Sequence, residues 1–216
     1  MFYKRLSSTQ DIAYKLALQG EGEGTVIISD YQTGGRGRLG RKWFAPPKKN
    51  LLCSFILRPN MPAEQAFRIS RLAVCAIKKA VEEKTDLSVY SKYPNDLLIK
   101  GKKFAGVLTE TQIKKGKLEF IILGMGVNVN SIKEQFFRAK SKIKNERTNA
   151  FRKGGDIEGK SKGEEQPQFV KRITSLREET GKRFSRPALL RKILKYFEKE
   201  YFSLCQENLI EVSKIS

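Results

Sequence analysis

The run Gln32-Thr-Gly-Gly-Arg-Gly-Arg-Leu-Gly-Arg-Lys-Trp43 constrains this chain more than any other stretch. Glycines at 34, 35, 37 and 40 permit positive φ and let backbone N–H groups approach a bound group closely, so the run reads as a loop. Arg36, Arg38 and Arg41 add planar, permanently charged forks that suit phosphate oxygens. The β-branched run Thr25 to Asp30 before it reads as a strand. Leu51 to Leu57 after it reads as a second strand, so apolar that both faces must be covered. Alternating Gly and Arg after a strand is the chemistry of a phosphate clamp, yet neither GxxxxGK[ST] nor GxGxxG is present. The bland alternative is a flexible basic loop or an RNA-binding Gly-Arg tract. The Trp43-Phe44-Ala45-Pro46 segment that follows at once points instead to an ordered lid.

The rest of the first half is mixed. Ser8 to Gln19 reads as a short helix capped by Ser8 or Thr9. Pro62 to about Lys84 carries the helical pattern Phe67, Leu72, Val74, Ala76, Ile77 and Val81. Leu87–Tyr93, Leu97–Ile99, Phe104–Ile113 and Leu118–Val129 read as strands, with turns at Lys100-Gly101 and Lys115-Gly116. These elements predict an α+β fold, a mixed β-sheet packed against helices, in a single domain spanning 1–216. From Ser131 to about Gln168 the sequence turns basic and polar, and is expected to be a disordered insertion. Helical patterning resumes over Phe169–Thr180 and Pro187–Leu204.

Composition narrows the chemistry. The chain has 216 residues and no histidine, which removes the usual general base and the commonest transition-metal ligand. Proton transfer is left to Asp, Glu, Lys, Tyr or water, and no metal site made of protein ligands is expected. Cys53, Cys75 and Cys205 are scattered among apolar neighbours without a CxxC pair, and are expected to be buried, reduced thiols. No apolar run is long enough to span a bilayer and the N-terminus lacks a signal-peptide stretch, so the expectation is a cytoplasmic protein without a membrane partner. A net charge of +20 favours anionic partners without choosing among them.

Residues 35–43 match GRGRxGRxW throughout, the signature loop of the biotin–protein ligases, and further matches follow in that family's order. Ser7-Ser8-Thr9-Gln10 resembles its early S-T-N. Lys92-Tyr93-Pro94-Asn95-Asp96 resembles K-W-P-N-D. Lys102 to Glu110 resembles K-[K/R]-[I/L]-A-G-I-L-x-E, Gly124 to Asn130 resembles G-x-G-[I/V]-N-[V/M]-N, and Ser175 to Gly181 resembles a late S-L-R-E-x-x-G. The resemblance implies a class II synthetase-like biotin/lipoate ligase catalytic domain. The implied activity is biotin–[biotin carboxyl-carrier protein] ligation: biotin and ATP give biotinyl-5'-AMP, and biotin then passes to a lysine of a biotin carboxyl carrier protein, a carboxylase subunit. Mg²⁺ is expected on the ATP phosphates.

The resemblance also assigns residues. Ser8, Thr9 and Gln32 would hydrogen-bond the biotin head, whose urea needs donors and acceptors. The alternative for Ser8 and Thr9 is a plain helix cap. Gly35, Arg36 and Arg38 would hold the carboxylate and the adenylate phosphate, with Arg41 beside them. Lys103 would contact both carboxylate and α-phosphate; the alternative is one more solvated lysine in a basic run. Gly106 would let the ligand approach the backbone, Asn128 would meet phosphate or metal, and Trp43 would flank the adenine or the loop. Asp96 would orient or deprotonate the incoming lysine, or simply form a turn.

Tyr93 stands where the family has tryptophan, and Gln10 where it has asparagine, which puts one biotin contact in question. Neither the helix-turn-helix nor the small β-barrel carried by relatives finds a match. Specific DNA binding is therefore not expected, and weak ATP binding is. A homodimer remains open. The alternatives are a lipoate or octanoyl ligase of the same fold, which the Gly-Arg loop disfavours, and a basic nucleic-acid-binding relative, for which no RNP1 sequence, recognition helix or zinc knuckle is visible.

Overall fold

A computed structural model of the chain describes residues 1–136 and 172–213, with side chains through residue 206. Seven strands form one sheet: β1 (Phe2–Tyr3), β2 (Val26–Ser29), β3 (Leu51–Leu57), β4 (Tyr90–Lys92), β5 (Asp96–Ile99), β6 (Lys102–Lys114) and β7 (Lys117–Val127). Their order is β1-β2-β3-β7-β6-β5-β4, antiparallel except for the parallel β1–β2 edge. Helix α1 (Thr9–Leu18) covers one face, while α2 (Phe67–Thr85) and α4 (Arg186–Ser213) cover the other; α3 (Leu176–Thr180) is a short connecting helix. This is the α+β architecture the sequence predicts.

Strand β3 shows why the sheet is covered on both sides. All seven residues are buried. Cys53, Phe55 and Leu57 face the large core with α2 and α4, while Ile56 joins Ala13, Ala17, Ile27, Phe120 and Ile122 beneath α1. The period of two sends successive side chains to opposite faces, so an apolar run without alternation needs two cores. Each large side chain so buried stabilises the fold by about 1.5–3 kcal/mol. The two predicted turns are tight: Lys100 and Gly101, and Lys115 and Gly116, all have positive φ, which matches the twist of the strands they join.

Some boundaries differ from the sequence reading. β4 begins only at Tyr90, because the N–H groups of Leu87 and Val89 bond to Thr85 Oγ1 and Glu82 Oε1 rather than to a strand. Helix is expected from Phe169, but among the described residues it starts at Leu176. Arg172–Thr174 runs extended beside the start of β6, where β7 has ended and Lys103 still offers an N–H and a C=O. Ser131 and Phe136, read as the start of the basic insertion, are buried in the folded body; the rest of that insertion, 137–168, lies outside the described residues. All three thiols are free, but only Cys53 is buried. Cys75 is flanked by apolar neighbours in sequence, and the 100° step of α2 turns it outward. No helix among the described residues is long and apolar enough to cross a membrane.

Candidate active site

On the α1 face of the sheet, three central positions carry no side chain. Gly126 pairs with Gly106 on β6 and with Leu52 on β3; Gly124 pairs with Leu108 and Ser54. A depression results, and two side chains lie in it. The Trp43 ring rests on Gly126 so closely that a Cβ there would be 2.6 Å from Cε2, and a Cβ at Gly106 would sit 3.1 Å from Cζ3. The Gln10 amide takes the room left at Gly124. The cleft above encloses about 470 Å³ including its open mouth, and is walled by α1, the Gly-Arg loop and the β5–β6 region.

One end of the cleft is a cluster of hydroxyls and amides. Gln32 Oε1 accepts from Thr9 N–H at 2.6 Å and from Thr9 Oγ1 at 3.1 Å. Ser54 Oγ lies 2.8 Å from Thr9 Oγ1 and 3.0 Å from Gln10 Oε1, and Gln10 Nε2 donates to Ile122 O at 3.0 Å. Ser8 begins α1 with extended backbone, but its hydroxyl makes no capping hydrogen bond. Gln32 supplies that contact to the helix end instead. Ser8 therefore contributes to the cleft wall and not to a side-chain cap.

The other end is cationic. The Gly-Arg loop is itself a small hairpin: Arg36 bridges Lys42, Gly37 N–H donates to Arg41 O at 2.7 Å, and Leu39 and Gly40 turn it with φ of 53° and 69°. Gly35 lies outside the cleft against the Trp43 backbone, where a Cβ would stand 2.6 Å from Trp43 O. Arg36 binds the Asp11 carboxylate at 2.5 Å and also the Glu110 carboxylate, pinning the loop to α1 and β6. The bond to Asp11 raises its pKa further; partial burial works against that and the Glu110 charge adds to it. Arg38 donates to Asn95 Oδ1 at 3.3 Å, and Asn95 Nδ2 donates to Val107 O at 2.5 Å. Lys103 Nζ is 2.6 Å from Asp96 Oδ1 and 5.3 Å from the Trp43 ring centroid. A half-buried cation over an aromatic face beside a carboxylate is held in place more firmly than a surface lysine.

Of the residues singled out from the sequence, the structure gathers Ser8, Thr9, Gln32, Arg36, Arg38, Trp43, Lys103 and Gly106 around one cleft. Four others lie elsewhere: Gly35 packs outside the cleft against the Trp43 backbone, and the remaining three are Arg41, Asp96 and Asn128. Arg41 is exposed and outside the lining. Asp96 stands behind Lys103 as its ion-pair partner. Asn128 is buried, accepting from Asn50 Nδ2 and donating to Thr174 O, each at 3.1 Å; its side chain closes the core where β7 ends and does not reach the cleft. Residues not singled out are Ser54, Gln10, Asn95 and the Asp11–Glu110 pair. Ser54 did carry a signal, as the single hydroxyl in an otherwise apolar buried strand. Among the described residues no group of three His, Cys, Asp or Glu could hold a metal ion. Burial pushes the Cys53 thiol up to about 12, so it offers no thiolate to the site.

A model of the biotin/lipoate A/B protein ligase family matches residues 2–128. The chain is 33% identical over 202 residues to the bifunctional ligase/repressor BirA of Bacillus subtilis, covering 93% of this chain and 53% of that one. It is 31% identical over 133 residues to the biotin–[acetyl-CoA-carboxylase] ligase of Mycobacterium tuberculosis, 60% of this chain and 48% of that one. Among solved structures, the biotin protein ligase from Aquifex aeolicus in complex with biotin and ATP superposes with a TM-score of 0.70 at 28% identity, over 96% of this chain and 72% of the other. The chain spans about half the length of the Bacillus relatives it matches.

Proposed function

The chain belongs to the biotin/lipoate A/B protein ligase family, and on that footing we propose that it activates biotin with ATP and attaches it to a lysine of a biotin carboxyl carrier protein, within the cytoplasm. The observation that carries this reading is the two-ended cleft. A hydroxyl and amide cluster at one end suits a cyclic urea, which both donates and accepts hydrogen bonds. The ammonium of Lys103 and the guanidinium of Arg38 at the other end suit a carboxylate and a phosphate. Lipoate or octanoate would bring a dithiolane or a methyl end to the polar cluster and leave buried donors unmatched, which disfavours that alternative.

In the first step a biotin carboxylate oxygen attacks the α-phosphorus of ATP and pyrophosphate leaves. In the second, the carrier amine attacks the acyl carbon, the bond to AMP breaks, and the amine loses a proton. Lys103 and Arg38 face the negative charge that the first step concentrates, and Thr9, Ser8, Gln10, Gln32 and Ser54 orient the biotin ring. Gly106 and Gly126 let the Trp43 ring lie against the sheet, where it forms part of the wall that the ligand would meet. Arg36 fixes the loop through Asp11 and Glu110. Mg²⁺ would be held through the ATP phosphates, as the family resemblance implies; among the described residues no group of three His, Cys, Asp or Glu could hold it. Arg41 is left to the outer rim and Asn128 to the core.

Transfer of labelled biotin to a carrier domain with ATP and Mg²⁺ tests the reading. Lys103→Ala and Arg38→Ala are each expected to lower the rate about 100-fold or more. Equal pyrophosphate exchange with lipoate and with biotin would overturn it.

A further inference from the structure

Two large apolar side chains stand far more open than the others among the described residues: Tyr93 is 91% exposed and Leu39 87%, while the next, Tyr90, is 64%. Scattered exposed apolar residues are ordinary, but these two flank residues that meet at the cleft. Leu39 directly follows Arg38, and Tyr93 stands two residues before Asn95. Arg38 and Asn95 both line the cleft and are joined by a 3.3 Å hydrogen bond. Leu39 is also held at φ 53°, a conformation that Gly or Asn adopts more readily. The hairpin thus presents a bulky apolar side chain at a position where its backbone disfavours one.

The surroundings are cationic. Residues 31–50 and 87–95 contain no acidic side chain, and Arg41, Lys42 and Lys92 are exposed beside the two apolar residues. Tyr93 closes the end of β4, the edge strand, whose three residues are all exposed. Open apolar side chains with exposed cations next to them in the chain are complementary to a folded partner with an apolar contact rimmed by acids.

We propose that Leu39, Tyr93 and the cations near them in the chain form the docking surface for the carrier domain, whose face around the target lysine would then be acidic. This rests on the ligase reading above, since a carrier must bring its amine to the mouth that this rim borders. The rim raises carrier affinity and takes no part in biotin activation.

The test separates the two half-reactions. In the full chain, Leu39→Asn and Tyr93→Ser, singly and together, are assayed for biotin-dependent pyrophosphate exchange and for transfer to a purified biotin carboxyl carrier domain. Exchange is expected to stay within about twofold of wild type, while the double variant raises the KM for carrier about tenfold at unchanged kcat. Lys42→Glu with Lys92→Glu should act in the same direction, and neutralising the acids that flank the target lysine should reproduce the loss with wild-type enzyme. An unchanged KM for carrier would overturn the docking surface and leave the ligase reading standing, as would loss of single-stranded RNA binding in the variants without a change in carrier KM. A fall in exchange that matches the fall in transfer would overturn it too. Absence of exchange by wild type would remove both readings.

Discussion

Lys103 is one of several lysines in a basic run, and only its place in the family motif marks it out in the sequence. What separates it is its surroundings: a carboxylate at 2.6 Å on one side and the Trp43 ring on the other. That contact points to Asp96 as a positioning residue for Lys103 in the proposed reaction. Asp96→Asn is expected to slow pyrophosphate exchange and carrier transfer alike, by about tenfold, because the ammonium loses its fixed geometry. A loss confined to transfer would return Asp96 to the role of proton acceptor for the incoming amine. Gly126 gives a second prediction at this scale. A Cβ there would lie 2.6 Å from the Trp43 ring, so Gly126→Ala forces the indole off the sheet. Exchange should fall at least tenfold, against a stability loss of only about 1–3 kcal/mol, measured by urea unfolding.

Among the elements, α3 shows how a short helix can be fixed from outside. Five residues are too few to hold a helix alone. Ser175 caps it, accepting from Glu178 N–H at 3.1 Å, and Gly181 ends it in the left-handed region. Glu179 then ties it to the β5–β6 turn through Thr174, Lys100 and Lys102. Burial opposes the charge on Glu179, but the Thr174 and Lys100 hydrogen bonds and the two lysine charges outweigh it, so the carboxyl titrates below its usual range. A carboxyl depressed in the folded state stabilises above its unfolded pKa, about 4.3, and loses that contribution as the pH falls through the folded value. Glu179→Gln is therefore expected to lower stability by about 1–3 kcal/mol at neutral pH, by urea unfolding. The gap from wild type should narrow on acidification below about pH 4. A gap that stays constant down to acid would remove the ionic component.

Taken as a whole, the molecule carries a net charge of +20, and the two ligands of the proposed reaction should feel this differently. On the proposed function, a carrier with an acidic face would meet a broad exposed surface that salt screens, whereas biotin would meet a partly enclosed cleft. Raising NaCl from about 0.05 M to about 0.5 M should raise the KM for carrier about tenfold and the KM for biotin less than twofold. Equal sensitivity of both would place the steering charge inside the cleft.

Local information determined much of this protein. The α+β class, strand β3 and its burial on both faces, the two hairpin turns and the Gly-Arg loop all rest on period, glycine placement and charge type, which act over a few residues. The tertiary structure alone decided which of those residues share a site. Asn128 follows the glycine-bearing run Gly124-Met125-Gly126 yet meets Asn50 and Thr174 in the core, because β7 ends there and the returning chain needs its amide. Arg36, read as a phosphate fork, is taken by Asp11 and Glu110, carboxylates 25 and 74 residues away in the sequence. Ser54 and Gln10 join the polar end of the cleft because Gly124 on a neighbouring strand leaves room for them. Such pairings depend on strand order and on what a neighbouring strand lacks, and neither is written in the spacing of one segment.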